Sequence, residues 1–164
     1  MPYFNQKRIE AVKAFARHAH IDDTRKFGAD RGKPYFDTHV TRVAIYAHSR
    51  QCTEEQYLAA YLHDVKEDHL PKWNEELLKG FGVTQLTLDI VDAVTKRKDE
   101  NYFDFIQRVI KTPEAILVKI ADIQDNMKGL KEGSLKDKYR FALALLVAEE
   151  NCNNWVTASN EGNV

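Results

Sequence analysis

The run Leu58-Ala-Ala-Tyr-Leu-His63-Asp64-Val-Lys-Glu67-Asp68-His69 constrains this chain more than any other stretch. It starts as the apolar face of a helix and turns abruptly into metal-ligand and acid–base side chains. His63 and Asp64 are adjacent, and Glu67 and Asp68 follow them four residues on, one helical turn away. Four titratable groups on two turns, next to a buried run, are costly as core. The run therefore predicts a helix that leads directly into a chemical site.

The rest of the pattern is helical too. Phe4, Val12, Phe15 and Ala16 share one side of a first helix over about residues 3–19. Residues 21–37, with Gly28, Gly32, Pro34 and many charges, read as a structured loop. A helix over about 38–49 follows, with Val43, Ala44 and Ala47 inward. Thr53 and Gln56 have capping-box spacing and start the helix bearing His63 and Asp64. A short helix is expected over 73–79, and longer ones over 83–95, 101–111 and 113–128. Thr112 and Pro113 fit the cap and first position of the last of these. Ser134 and Asp137 resemble another cap, and the Phe141–Ala148 run gives a final buried helix. Tyr61, Leu62, Phe103, Phe105 and Leu145 read as core. The expectation is one all-α domain over residues 1–150 with a polar tail over 151–164.

Composition narrows the function classes. With 30% charged residues and a net charge of -1, no basic field points to nucleic acid or a membrane surface. Cys52 and Cys152 have no paired spacing, so neither a disulfide framework nor a zinc ribbon is indicated. No apolar run reaches membrane-spanning length and the first residues lack a signal-peptide core, so a cytoplasmic protein is expected. Its partner is then a small molecule held by a local pocket. The sequence sets no oligomeric state.

Two protein ligands rarely hold a divalent ion, so further donors are needed. His39, at a helix start, and Asp122, in Val118–Met127 where it interrupts the apolar pattern begun by Ala115-Ile-Leu-Val, are the candidates. A lone carboxylate at Asp122 is expensive unless paired or metal-bound. Two imidazoles and two carboxylates suit Mn²⁺, Fe²⁺ or Zn²⁺, and an ion there would acidify a bound water. His18, His20, His48 and His69 lack companion spacing and read as structural, His69 being nearest to any substrate.

The order His39, His63-Asp64, Asp122 resembles the H…HD…D signature of the HD-domain metal-dependent phosphohydrolases. The closer resemblance is to the (p)ppGpp hydrolase domain of the RelA/SpoT family and its small stand-alone forms, including animal SpoT homologues. Ala19-His20 with Arg25-Lys26, Gly32-Lys-Pro-Tyr35 ahead of His39, Leu62–Asp68, and Val118–Met127 carry it, over residues ~10–130 in order. The resemblance implies a single HD-domain helical bundle that removes the 3′-pyrophosphate of (p)ppGpp. It implies His39, His63, Asp64 and Asp122 as ligands, of Mn²⁺ before Fe²⁺ or Zn²⁺. Glu67 and Asp68 would manage the attacking water and the leaving group's proton. Arg25 and Lys26 would lie against the nucleoside, and Lys119 and Asn126 would line its pocket. Three departures sit beside that pocket: four steps instead of three from Tyr35 to His39, Val40 for a proline, and His69 for a threonine. The alternatives are another HD-type nucleotide phosphohydrolase (a 5′-nucleotidase, dNTP hydrolase or NADPH 2′-phosphatase) and a non-catalytic nucleotide-binding module.

Overall fold

A computed structural model describes residues 4–161, with side chains described through residue 153. The fold is all-α. Its helices are α1 (Gln6–Ala19), α2 (Thr41–Ser49), α3 (Glu54–Leu62), α4 (Val65–Asp68), α5 (Glu75–Gly80), α6 (Gln85–Val94), α7 (Tyr102–Ile110), α8 (Pro113–Met127) and α9 (Ser134–Glu161). Among the described residues no helix is long and apolar enough to cross a membrane.

The core is built around α3 and α8. Leu58–Leu62 of α3 are all buried, and α8 buries Ile116, Val118, Ile120 and Ile123. Helix α2 offers Val43, Ala44 and Ala47, small side chains that let α2, α3 and α8 pack pairwise. Truncating a buried leucine or isoleucine in such a core costs about 2–5 kcal/mol. The Thr53–Gln56 capping box forms in full, which stabilises the start of α3 by about 1 kcal/mol. At α8, Thr112 and Pro113 take the expected positions, but the Thr112 side chain accepts no capping bond.

Four features depart from the expectations. First, the helix of His63 does not run on to Glu67: α3 ends at Leu62, and His63 and Asp64 form the break before α4. Second, Phe36–Val40 is a π turn, in which the Thr41 N–H bonds back five residues to Phe36 O. A π turn absorbs one extra residue, and the four-step spacing from Tyr35 to His39 falls inside it. Third, α9 buries only one face, through Ala142 and Leu146, while Phe141 is exposed and Leu145 half-buried. Phe103 on α7 is likewise exposed. Fourth, α9 continues to Glu161, well past the Phe141–Ala148 run expected as the last helix; residues 162–164 lie outside the described residues.

The 21–37 loop is ordered by backbone bonds. Thr24 bridges Pro34, Arg25 N–H donates to Lys33 O, and Tyr35 N–H donates to Asp23 O. These bonds bring Asp23, Arg25 and Tyr35 to the open end of the helix layer.

Candidate metal centre and active-site cavity

Three elements deliver four donors to one point. His39 comes from the π turn, His63 and Asp64 from the α3–α4 break, and Asp122 from the middle of α8. His63 Nε2 lies 3.2 Å from His39 Nε2 and 3.0 Å from Asp64 Oδ2. His39 Nε2 lies 3.4 Å from Asp64 Oδ2 and 3.3 Å from Asp122 Oδ1. Donors bound at about 2.0–2.2 Å from one ion sit about 3.0–3.5 Å apart, so the set fits a divalent metal.

The remote ring nitrogens point the same way. His39 Nδ1 lies 2.8 Å from Asp125 Oδ2, and His63 Nδ1 lies 2.8 Å from Ala60 O. Each is a donor to its oxygen, so the two Nε2 atoms face one another and need either a shared proton or a metal ion between them; second partners of this kind are what orient metal-binding histidines.

Electrostatics in the metal-free state fit the same picture. Burial opposes a charge on His39, but hydrogen bonds to Asp122, Asp125 and Asp64 outweigh it and push its pKa up to about 10. Burial opposes ionisation of Asp64 as well, yet the neighbouring His63 and His39 hold its carboxyl well below the usual range. Asp125 is buried, and the hydrogen bonds from His39 and Arg42 hold it down at about 2. An acid cluster this deep wants positive charge at its centre.

Around this floor opens a cavity of about 750 Å³. Glu67 and Asp68, on α4, face it; Glu67 Oε2 accepts the Lys96 backbone N–H at 2.8 Å. Crowding by protein lifts the pKa of both carboxyls, for Asp68 with a further push from Asp64. Arg25, Lys26, Lys119 and Asn126 border the cavity as well. Three of them are already engaged. Arg25 donates to Asn126 Oδ1 at 3.0 Å and to Asp125 Oδ2 at 3.0 Å, and it is 9% exposed. Lys119 Nζ donates to Asp122 Oδ2 at 2.7 Å, and Asn126 Nδ2 donates to Asp122 Oδ1 at 2.5 Å. Lys26 is exposed at the rim.

Comparison with known proteins gives consistent relatives. No protein-family model matches the chain. It is 31% identical over 155 residues to the bifunctional (p)ppGpp synthase/hydrolase SpoT of Escherichia coli K12, covering 88% of this chain and 21% of that protein. It is 33% identical over 148 residues to the guanosine-3′,5′-bis(diphosphate) 3′-pyrophosphohydrolase of Haemophilus influenzae, covering 84% of this chain and 20% of that protein. The chain thus spans about a fifth of the length of these curated relatives. A solved structure of a metazoan SpoT orthologue, described as hydrolysing ppGpp and acting in starvation responses, superposes with a TM-score of 0.66. It is 22% identical and covers 92% of this chain and 88% of that one. Over most of its length this chain is similar to part of these RelA/SpoT-type proteins, and it shares the fold of the SpoT orthologue.

Several residues of the site escaped the reading of the sequence. Asp125 orients His39 and gathers Arg25 and Arg42; its signal was a second acid three residues after Asp122 on a buried helix. Tyr35 donates its hydroxyl to Asp64 Oδ2 at 2.6 Å, and nothing in its spacing announced that. Lys96 and Lys138 add positive charge to the wall, Lys138 lying 4.3 Å over the Tyr102 ring. His20 and His69, read as structural, converge on Asp23 at the cavity's outer side.

Proposed function

We propose that this domain hydrolyses the 3′-diphosphate of guanosine 3′,5′-bis(diphosphate) or its 5′-triphosphate form, giving GDP or GTP and pyrophosphate, with Mn²⁺ as its metal. The observation that carries this reading is one cavity with a four-donor floor, two carboxyls of raised pKa beside it and lysines around it. The names of the relatives supply the substrate. His39, His63, Asp64 and Asp122 would hold the ion. When bound, it would polarise the phosphoryl oxygens and acidify water.

The chain's own groups account for the remaining steps. Water attacks the phosphorus bonded to the 3′-oxygen, the P–O3′ bond breaks, and the 3′-oxygen takes a proton. Glu67 takes the proton of the attacking water; its raised pKa makes it a stronger base than an ordinary carboxylate. Asp68, also raised, returns a proton to the 3′-oxygen. Lys26, Lys96 and Lys138 meet the negative charge of the phosphates. Arg25, Lys119 and Asn126 border the nucleotide while fixing Asp122 and Asp125 from the other side.

The test is pyrophosphate release from ppGpp by Mn²⁺-loaded protein, with NADPH, dNTPs and nucleoside monophosphates alongside. Release that vanishes on chelation and in His63→Ala supports the reading. Turnover of another nucleotide but not of ppGpp would move the substrate, and silence on all of them with metal bound would refute the enzyme.

A further inference from the structure

The cavity's outer wall gathers a second set of metal-binding side chains that hydrolysis leaves unused. His20 closes α1, Asp23 lies in the loop that follows, and His69 closes α4. Asp23 Oδ2 is 2.7 Å from His20 Nδ1 and 2.6 Å from His69 Nε2. One donor atom from each of the three residues lies within 4.8 Å of the others, the same closeness that unites His39, His63 and Asp122. The His20 and His69 rings meet edge-on with centroids 4.8 Å apart.

A hydrogen-bonded strap tying the loop to α4 would use these contacts, but it leaves two facts over. The first is burial: His20 is 2% exposed and turns its Nδ1 onto Asp23, a metal-binding atom shielded from water. The second fact is charge. Asp23, Asp64 and Asp68 bring three carboxylates to one side of the cavity. A cation among them would relieve their repulsion.

We propose that His20, Asp23 and His69 form a second site for a divalent transition-metal ion. Two imidazoles and one carboxylate are a donor set that leaves coordination positions open. Asp23 and His69 line the cavity, so those positions would face it and take water or a phosphate oxygen. The entry path is the cavity mouth.

The site is independent of which nucleotide the domain hydrolyses, and metal counting tests it without any substrate. Chelator-stripped protein is titrated with Co²⁺, and equivalents are counted by elemental analysis and by visible absorption. Wild type should hold two, and His69→Ala and Asp23→Asn one each. His63→Ala should keep a cobalt spectrum that the His63→Ala/His69→Ala double variant loses. Thermal melts followed by circular dichroism establish that each variant is folded, and Asp23→Asn decides the matter if His69→Ala is not. One equivalent in the wild type would overturn the proposal. So would two equivalents in a folded His69→Ala or Asp23→Asn, or the His63→Ala spectrum persisting in the double variant.

Discussion

The inner cluster of His39, His63, Asp64 and Asp122 and the outer trio of His20, Asp23 and His69 use the same side chains in different surroundings. The inner donors sit in α8 or directly flank α2 and α3, the three helices that pack pairwise, and both imidazoles are held at their far nitrogen. The outer donors sit at two helix ends and in a loop, with the Asp23 side chain 32% exposed and one His20 nitrogen unheld. The inner geometry is thus over-determined by the core, while the outer one depends on how a loop is fastened.

The largest expected effect is loss of an inner ligand. His63→Ala should empty the inner cluster and cut pyrophosphate release by at least about a thousandfold, beyond the 10–100-fold typical of losing an outer-shell partner. Metal content and initial rates check it, and an active variant would mean that the inner donors are not the working ones. Next comes Glu67→Gln, which should keep the metal yet lose about 10²–10⁴ of turnover. The wild-type rate should also fall on the acid side. Glu67 must be ionised to accept a proton, and its pKa lies above the usual 4.5, so activity is lost as pH drops through that raised value. The Gln variant should lack that limb. A smaller effect is expected for Asp125→Asn, which weakens the bond that orients His39. Chelator competition should show the inner ion bound about 10–100-fold more weakly, with the outer trio unaffected.

How much of this was legible beforehand follows the same division. Helices with an apolar stripe and a capping residue were readable from local pattern: Thr53–Gln56, Pro113 and the Val43-Ala44-Ala47 face all lie where spacing puts them. The inner cluster was readable as a candidate because a titratable residue inside an apolar run, such as Asp122 or His63, has few inexpensive explanations. The break after Leu62 was hidden, since nothing in His63-Asp64-Val65 opposes a continued helix; the tertiary contacts of these two side chains with His39 and Tyr35 were not legible from local pattern. The π turn was signalled only as an odd spacing. Arg25 read as free to meet a ligand, because its partner Asp125 lies 100 residues away in the chain. The outer trio was invisible for the same reason, with His69 46 residues from Asp23.

The sharpest test of the division leaves both clusters untouched. The loop carrying Asp23 and Arg25 crosses the turn after α8 glycine on glycine: a Cβ built on Gly129 would lie 2.8 Å from Gly28 Cα, and Gly129 has φ +76°. Gly129→Ala therefore meets both a backbone clash and a left-handed conformation that L residues resist, at a combined cost of about 1–3 kcal/mol. Urea denaturation should show that loss as a lower midpoint with an unchanged slope. Because α2, α3 and α8 do not rest on this crossing, the inner cluster should bind its ion as tightly as in the wild type. An inner affinity that fell along with stability would mean that the loop helps to set the inner geometry, through Arg25 and its hold on Asp125. The two regions would then be one mechanical unit, and the contrast between them would be one of exposure alone.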